Sequence, residues 1–305
     1  MAFGDRWDWV LGWMAGIVLA LAASTAMADP ASLDQYMKPA RHSADEVVHY
    51  GPAPSQVAEL FLPKAKGPHP VVVLLHGGCF LKQYEGFAQT SALAADLAGR
   101  GYAVWNVEYR KLGEAGAGYP GTFQDVATAV EGLRAEAPKY DLDLRRVVAV
   151  GHSAGGHLAL WAASRGKLPA SSPLWTADPM KIGAVISLAG IGDLEGQGKA
   201  FALPCGDDTI DRLVDTAHRK HPFADTSPAE LLSTGVKVVM VHGVFDSVMP
   251  PYTGRDYVLK MRKAGDQAEV ATIPDAGHFD LVIPTTAAWR VIAGIVEREI
   301  RALPH

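Results

Sequence analysis

The stretch Gly151-His152-Ser153-Ala154-Gly155 follows an apolar run, RVVAV at 146–150, and precedes HLALWAA at 157–163. The first run has the short β-branched character of a buried strand, and the second has the length and composition of a helix. A serine between glycines at such a junction has two readings. Gly and Ser are ordinary turn residues. Alternatively, a sharp strand-to-helix turn strains the serine backbone, excludes bulky neighbours and pushes the hydroxyl out at the top of a sheet, where the next helix aims N–H groups at any anion that forms. The rest of the chain decides between them.

Outward from this point the chain alternates. VAELFL at 57–62 has period two and reads as an edge strand. PVVVLL at 70–75, YAVWNV at 102–107, IGAVISLA at 182–189, VKVVMV at 236–241 and AEVATI at 268–273 read as further strands. Between and after them lie helical patterns at 89–99, 122–134, 154–163, 251–264 and 286–301. This rhythm predicts an α/β fold with a mostly parallel central sheet and helices on both faces. Residues 190–235, rich in Gly, Pro and Asp, break the rhythm and are expected as a small lid over the carboxyl ends of the strands, the edge where open parallel sheets bind ligands. Glycines in this segment suggest mobility. The expectation is one domain over 29–305, not two.

A serine hydroxyl is a weak nucleophile until a base takes its proton. The strand at 268–273 runs into a Gly277-His278 loop, which makes His278 the candidate base. A histidine base needs a carboxylate to hold its tautomer and stabilise the imidazolium. Asp246, just past the strand at 236–241, supplies it and gives the chain order Ser, Asp, His. Asp193, after the preceding strand, is the main rival. Asp280, two residues past the histidine, is too local to reach around the imidazole. The strand at 70–75 leads into His76-Gly77-Gly78-Cys79-Phe80, where glycines let backbone N–H groups approach a developing oxyanion. Gly77, Gly78 and Ala154 are the candidate donors. His76 and His242 read as structural. Four parts at four strand ends favour a serine that attacks.

Elsewhere the sequence bounds the answer. The chain has 305 residues, 49% apolar and 20% charged, with a formal net charge of −5. That is enough for one large domain and leaves no basic footprint for nucleic acid. Residues 1–28 read as a secretory signal peptide: Arg6, an uncharged run from Val10 to Ala23, then Ala26-Met27-Ala28 ahead of Asp29. Export to the periplasm or beyond follows, with no stable membrane insertion after cleavage; the alternative is that the segment stays on as an uncleaved anchor. Two cysteines, Cys79 and Cys205, are free to pair in an oxidising compartment, but spacing gives no distance, and separate thiols are an equal reading. Nothing implies a metal or a redox cofactor, and the oligomeric state is open.

HGGCF (76–80), NVEYR (106–110), YPGTFQD (119–125), GHSAGGH (151–157), HGVFDSVMP (242–250) and GHFD (277–280) resemble the α/β-hydrolase superfamily. They resemble most its branch of small bacterial esterases related to hormone-sensitive lipase, kynurenine formamidase and acetyl-xylan or feruloyl esterases. The resemblance covers about residues 45–303. It implies Ser153, Asp246 and His278 as a triad and Gly77, Gly78 and Ala154 as an oxyanion hole. Cys79 stands where hormone-sensitive-lipase relatives carry a third glycine, which favours the esterase-like and formamidase-like members. Cys79, Phe80, Tyr109 and His152 are candidate substrate contacts. Arg110 with Asp125 or Glu108 is expected to be scaffolding, and Phe80, Trp175, Phe201, Leu203 and Pro204 to wall an acyl pocket. The implied activity is hydrolysis of small or medium carboxylic esters. The alternatives are an amide hydrolase with the same machinery, arylformamidase-like or peptidase-like, and a hydrolase-fold binding protein without chemistry.

Overall fold

The computed structural model describes residues 29–38, 40–84 and 86–304, so the expected signal peptide lies outside the described residues. Among them, eight strands form one sheet: β1 (Glu46–His49), β2 (Val57–Phe61), β3 (His69–Leu75), β4 (Ala103–Val107), β5 (Leu142–His152), β6 (Ala184–Leu188), β7 (Lys237–Gly243) and β8 (Ala268–Ile273). Their order is β1-β2-β4-β3-β5-β6-β7-β8. β2 runs antiparallel to both neighbours, and every pair from β4 through β8 is parallel. Every residue of β4 and β6 is buried. Since successive side chains point to opposite faces, both faces of the sheet are covered.

The cover consists of α2 (Ser91–Gly99), α3 (Gly121–Tyr140), α4 (Ala154–Ser164), α7 (Pro251–Lys263) and α8 (Ala287–Arg301). α8 shows how the sequence builds such a helix. Trp289, Ile292, Ala293, Val296 and Ile300 recur every three or four residues and are buried, while Arg290 and Arg298 face solvent. Thr286 caps it, its hydroxyl accepting the Trp289 N–H at 3.0 Å. Two tryptophans tie elements together: Trp289 donates to Asp96 at 2.8 Å, joining α8 to α2, and Trp105 of β4 donates to the Ala129 carbonyl at 2.9 Å, joining the sheet to α3.

β2 is not the edge expected of it. β1 pairs outside it, from Glu46 opposite Leu60 to His49 opposite Val57, and takes the exposed position. Residues 190–235 fold as α5 (Leu194–Cys205) and α6 (Thr209–Val214) followed by a loop. The glycines expected to loosen this segment fall partly inside α5, at Gly196 and Gly198. The segment is tied down at several points. Gln197 donates to the Thr253 carbonyl at 2.6 Å, and the Asp225 carbonyl accepts from Trp161 at 2.9 Å. Arg219 pairs with Asp225 while lying 3.5 Å over the Tyr119 ring. At the other end of the chain, α1 (Leu33–Tyr36) folds back over the carboxyl ends of the strands. No helix among the described residues is long and apolar enough to cross a membrane.

Candidate active site

Ser153 joins β5 to α4 with φ 53° and ψ −117°, a backbone region that side-chain-bearing residues seldom adopt. The flanking glycines make the turn feasible. A Cβ on Gly151 would lie 2.1 Å from the Gly155 carbonyl oxygen, and one on Gly155 would lie 2.2 Å from that of Leu75. The Ser153 N–H donates to the Leu188 carbonyl at 2.8 Å, which fastens the turn to β6.

His278 follows β8 and Asp246 follows β7. The His278 Nδ1 lies 2.9 Å from the Asp246 Oδ2, and both residues are buried. The other carboxylate oxygen accepts the N–H groups of Val248 at 2.9 Å and Met249 at 2.7 Å, so the acid is held from both sides. Asp193, the rival, is engaged elsewhere: it caps α5 through the Gly196 N–H at 2.8 Å and pairs with Lys260. Asp280 accepts the N–H groups of Gly277 at 2.8 Å and Ala31 at 3.0 Å.

The loop after β3 passes directly against the serine. A Cβ on Gly77 would stand 2.8 Å from the His152 Nδ1 and 3.3 Å from the Ser153 Cβ. Three residues in succession have left-handed backbone, Gly78 (φ 102°), Cys79 (φ 55°) and Phe80 (φ 59°). Away from glycine each such residue costs roughly 1–3 kcal/mol, so the surroundings must hold the loop. A buried network beneath it does so. The His76 Nε2 lies 2.8 Å from the Glu108 Oε1, which also accepts from Lys111 at 2.9 Å. The Tyr109 ring stacks on His76 at 4.2 Å, and its hydroxyl donates to the His76 carbonyl at 2.8 Å. Burial alone would raise the Glu108 pKa, but the charges and hydrogen bonds of His76 and Lys111 outweigh it and bring it down to about 2. Arg110 forks onto Asp125 with two 2.7 Å contacts, the scaffolding expected of it.

Ser153, His278, His152, Gly78 and Cys79 line one cavity of about 260 Å³, together with Leu33, Tyr36, Tyr84, Pro204, Val248 and Phe279. His152 holds the His278 loop by donating from Nε2 to the His278 carbonyl at 3.2 Å. Burial first, and then the neighbouring His278, push its pKa well below the usual imidazole value. Two expected substrate contacts are corrected. The left-handed backbone turns Phe80 down into the core against Phe201 and His157, and Tyr109 is fully buried beneath the loop on His76. Trp175 lies away from the cavity, half-exposed in a groove with Arg165 and Gln124, and Leu203 is 90% exposed. Of the expected acyl wall, Pro204 remains. Cys79 and Cys205 are joined, with Cα atoms 5.4 Å apart, which settles the pairing left open and ties the β3 loop to α5.

Tyr36 and Leu33 were not foreseen in the cavity wall. Their signal was the spacing Ser32-x-x-Gln35. The Ser32 hydroxyl accepts the Gln35 N–H at 3.3 Å while the Gln35 side chain accepts the Ser32 N–H at 2.7 Å, a reciprocal cap that starts α1.

The BD-FAE family model matches residues 58–261. "Probable carboxylic ester hydrolase LipM" of Mycobacterium tuberculosis is 27% identical over 233 residues, 74% of this chain and 53% of that protein. "Probable isoprenylcysteine alpha-carbonyl methylesterase ICMEL1" of Arabidopsis thaliana is 23% identical over 255 residues, 77% of this chain and 50% of that protein. The chain thus spans about half the length of the curated relatives it matches. A truncated carbohydrate esterase from gut microbiota superposes with a TM-score of 0.68 at 20% identity, over 90% of this chain and all of that one. At that identity the likeness speaks for the fold, which is the α/β-hydrolase fold. Sheet order, strand-end loops and the match over 58–261 lead to one assignment: this chain belongs to the BD-FAE family.

Proposed function

We propose that the protein is an exported serine carboxylesterase acting on esters of small or medium acyl groups. One observation carries the reading: Ser153, held in a strained turn, shares a cavity with His278, whose far nitrogen is braced by Asp246 at 2.9 Å. In this scheme the Ser153 Oγ attacks the ester carbonyl while the His278 Nε2 takes its proton. The carbonyl oxygen becomes an oxyanion, stabilised by the backbone N–H groups of Gly77, Gly78 and Ala154. His278 then protonates the departing alcohol. Water, activated by the same imidazole, releases the acid and restores the serine. Asp246 keeps its negative charge throughout and stabilises the imidazolium.

The volume of about 260 Å³ favours short acyl chains, since sites for drug-sized ligands run from roughly 300 to 1,000 Å³. The names of the relatives favour ester over amide cleavage. Export is favoured by the uncharged run at 10–23 and by the Cys79–Cys205 bridge, which persists in oxidising compartments.

The test is hydrolysis of 4-nitrophenyl esters from C2 to C12 by the mature protein, beside Ser153→Ala. Activity peaking at short chains and lowered by about 10⁵–10⁶ in the variant is expected. Equal rates in both proteins would show that the serine does not attack. Turnover of N-formylkynurenine in place of esters would move the assignment to amides, and no turnover of either would leave a binding protein.

A further inference from the structure

The cavity that holds Ser153 and His278 is walled mostly by carbon. Apart from its two histidines, no side chain among the described residues that line it carries a charge or an amide. Outside Ser153 and His278, the polar side-chain atoms in the wall belong to Tyr36, His152 and Tyr84. The Tyr36 hydroxyl is sealed in. His152 spends its Nε2 on the His278 carbonyl, and its Nδ1 is sealed in as well. Only the Tyr84 hydroxyl is left, among the described residues, to meet a polar group of a substrate.

The mouth has the same character. Leu33 at the start of α1 is 42% exposed and Pro204 near the end of α5 is exposed, yet both line the cavity. Val248 and Phe279 line it half-buried. Their polar neighbours in sequence, Asp34 and Ser247, are exposed but do not line it. Single exposed apolar residues are ordinary; apolar side chains from separate elements gathered at one opening mark a binding surface. The Leu33 segment is fastened there, since Asp280 accepts both the Ala31 and the Gly277 N–H. At about 260 Å³, the space is small enough that the alcohol half of an ester meets this wall whichever way the ester lies. A hydroxyl or a charge carried there loses its water and finds almost no partner in exchange.

We infer that the protein selects esters whose alcohol half is apolar and uncharged, and that Leu33 is a specificity-determining residue at the mouth. Glycosyl, polyol and quaternary-ammonium esters are disfavoured. The inference rests on the esterase reading above and adds the class of alcohol to it. Leu33 lies in a segment that precedes the residues matched by the family model, 58–261.

Two pairs of acetates of matched shape test this, with rates followed by acid release and divided by those with hydroxide to remove leaving-group differences. One pair sets 3,3-dimethylbutyl acetate beside acetylcholine, which adds only the charge. The other sets 2-methylbutyl acetate beside glyceryl monoacetate, which has hydroxyls for methyl groups. In each pair kcat/KM should favour the apolar member by about 10- to 10²-fold. The apolar member should also inhibit turnover of 4-nitrophenyl acetate at the lower concentration. Leu33→Glu brings a carboxylate to the mouth at a helix start, where an acid is tolerated, so the melting temperature should hold. In that variant the acetylcholine gap should narrow by about two- to fivefold, through KM, and the glyceryl gap by less than about twofold. Ratios near one in the parent, or ratios favouring the polar members, would overturn the inference, while turnover of 4-nitrophenyl acetate would keep the esterase reading intact. An acetylcholine gap unmoved by Leu33→Glu would overturn the role of Leu33. If the parent turns over no ester, both readings fall together.

Discussion

The cavity has a floor and a cover, and the two are held in different ways. The floor is the β3 loop and the Ser153 turn. Four consecutive or facing positions there have positive φ, and buried groups pin them from below: His76, Glu108, Lys111, Tyr109, and the Arg110–Asp125 fork. The cover is α1 and the end of α5. It rests on a reciprocal cap, one aspartate, ring stacking and a disulfide. Strain is tolerated only where the surroundings over-determine it, so the floor is the part able to hold the proposed donors fixed. Shape and access belong to the cover, where fewer contacts must change for the pocket to change.

The floor is most vulnerable at Glu108. Glu108→Gln leaves the buried Lys111 with only the more distant Glu114, at 3.7 Å, as a charge partner, and a loss of up to about 3 kcal/mol is expected in urea unfolding. The folded pKa of Glu108 is depressed, so its contribution is present above the unfolded value of 4.5 and is lost as pH falls toward about 2. The variant should lack that acid limb. A loss under about 1 kcal/mol would mean that the floor does not depend on this network.

His157 sharpens the contrast through pH. It is buried behind the Ser153 turn, its Nδ1 donating to the Ile191 carbonyl at 3.0 Å, and burial brings its pKa down to about 4. A depressed folded pKa means that the unfolded chain takes the proton first. Stability should therefore be intact above pH 6.5 and decline by up to about 3 kcal/mol as pH falls toward 4. Melting curves across that window check it, and a flat profile would contradict it.

The smallest effect is expected in the cover. Ser32→Ala removes the α1 cap without touching any cavity residue, at a cost of about 1 kcal/mol or less in overall stability. Amide exchange at 33–37 should quicken, and KM should shift more than kcat. If kcat falls most, α1 positions catalytic groups as firmly as the floor does.

Much of the floor was legible because its causes are local. A glycine on each side of Ser153 is demanded by carbonyls about 2 Å from any added Cβ, and fully covered strands read as unbroken apolar runs. Asp246 and His278 could be proposed because each stands just past such a run, and the structure brings them within 2.9 Å. The cover was less legible because its causes are distant. Four residues of α1 carry no periodicity, and what places Tyr36 is Phe279, over 240 positions away. β1 has a mostly exposed, partly charged sequence and joins the sheet through backbone pairing. The Cys79–Cys205 bridge spans 126 positions. The inward turn of Phe80 depends on a left-handed backbone at a non-glycine residue, which no propensity announces.

That bridge also makes part of the chain a closed ring. Residues 79–205 contain β4, β5, β6 and Ser153, whereas Asp246 and His278 lie beyond it. A protease that cuts one surface loop inside the ring opens it but frees no fragment, and the two new ends remain joined through sulfur. A single cut after 205 separates the serine-bearing piece from the histidine-bearing piece, with only packing to hold them together. Damage to this protein is therefore asymmetric: the half that carries Ser153 survives a nick as one molecule, and the half that carries His278 does not.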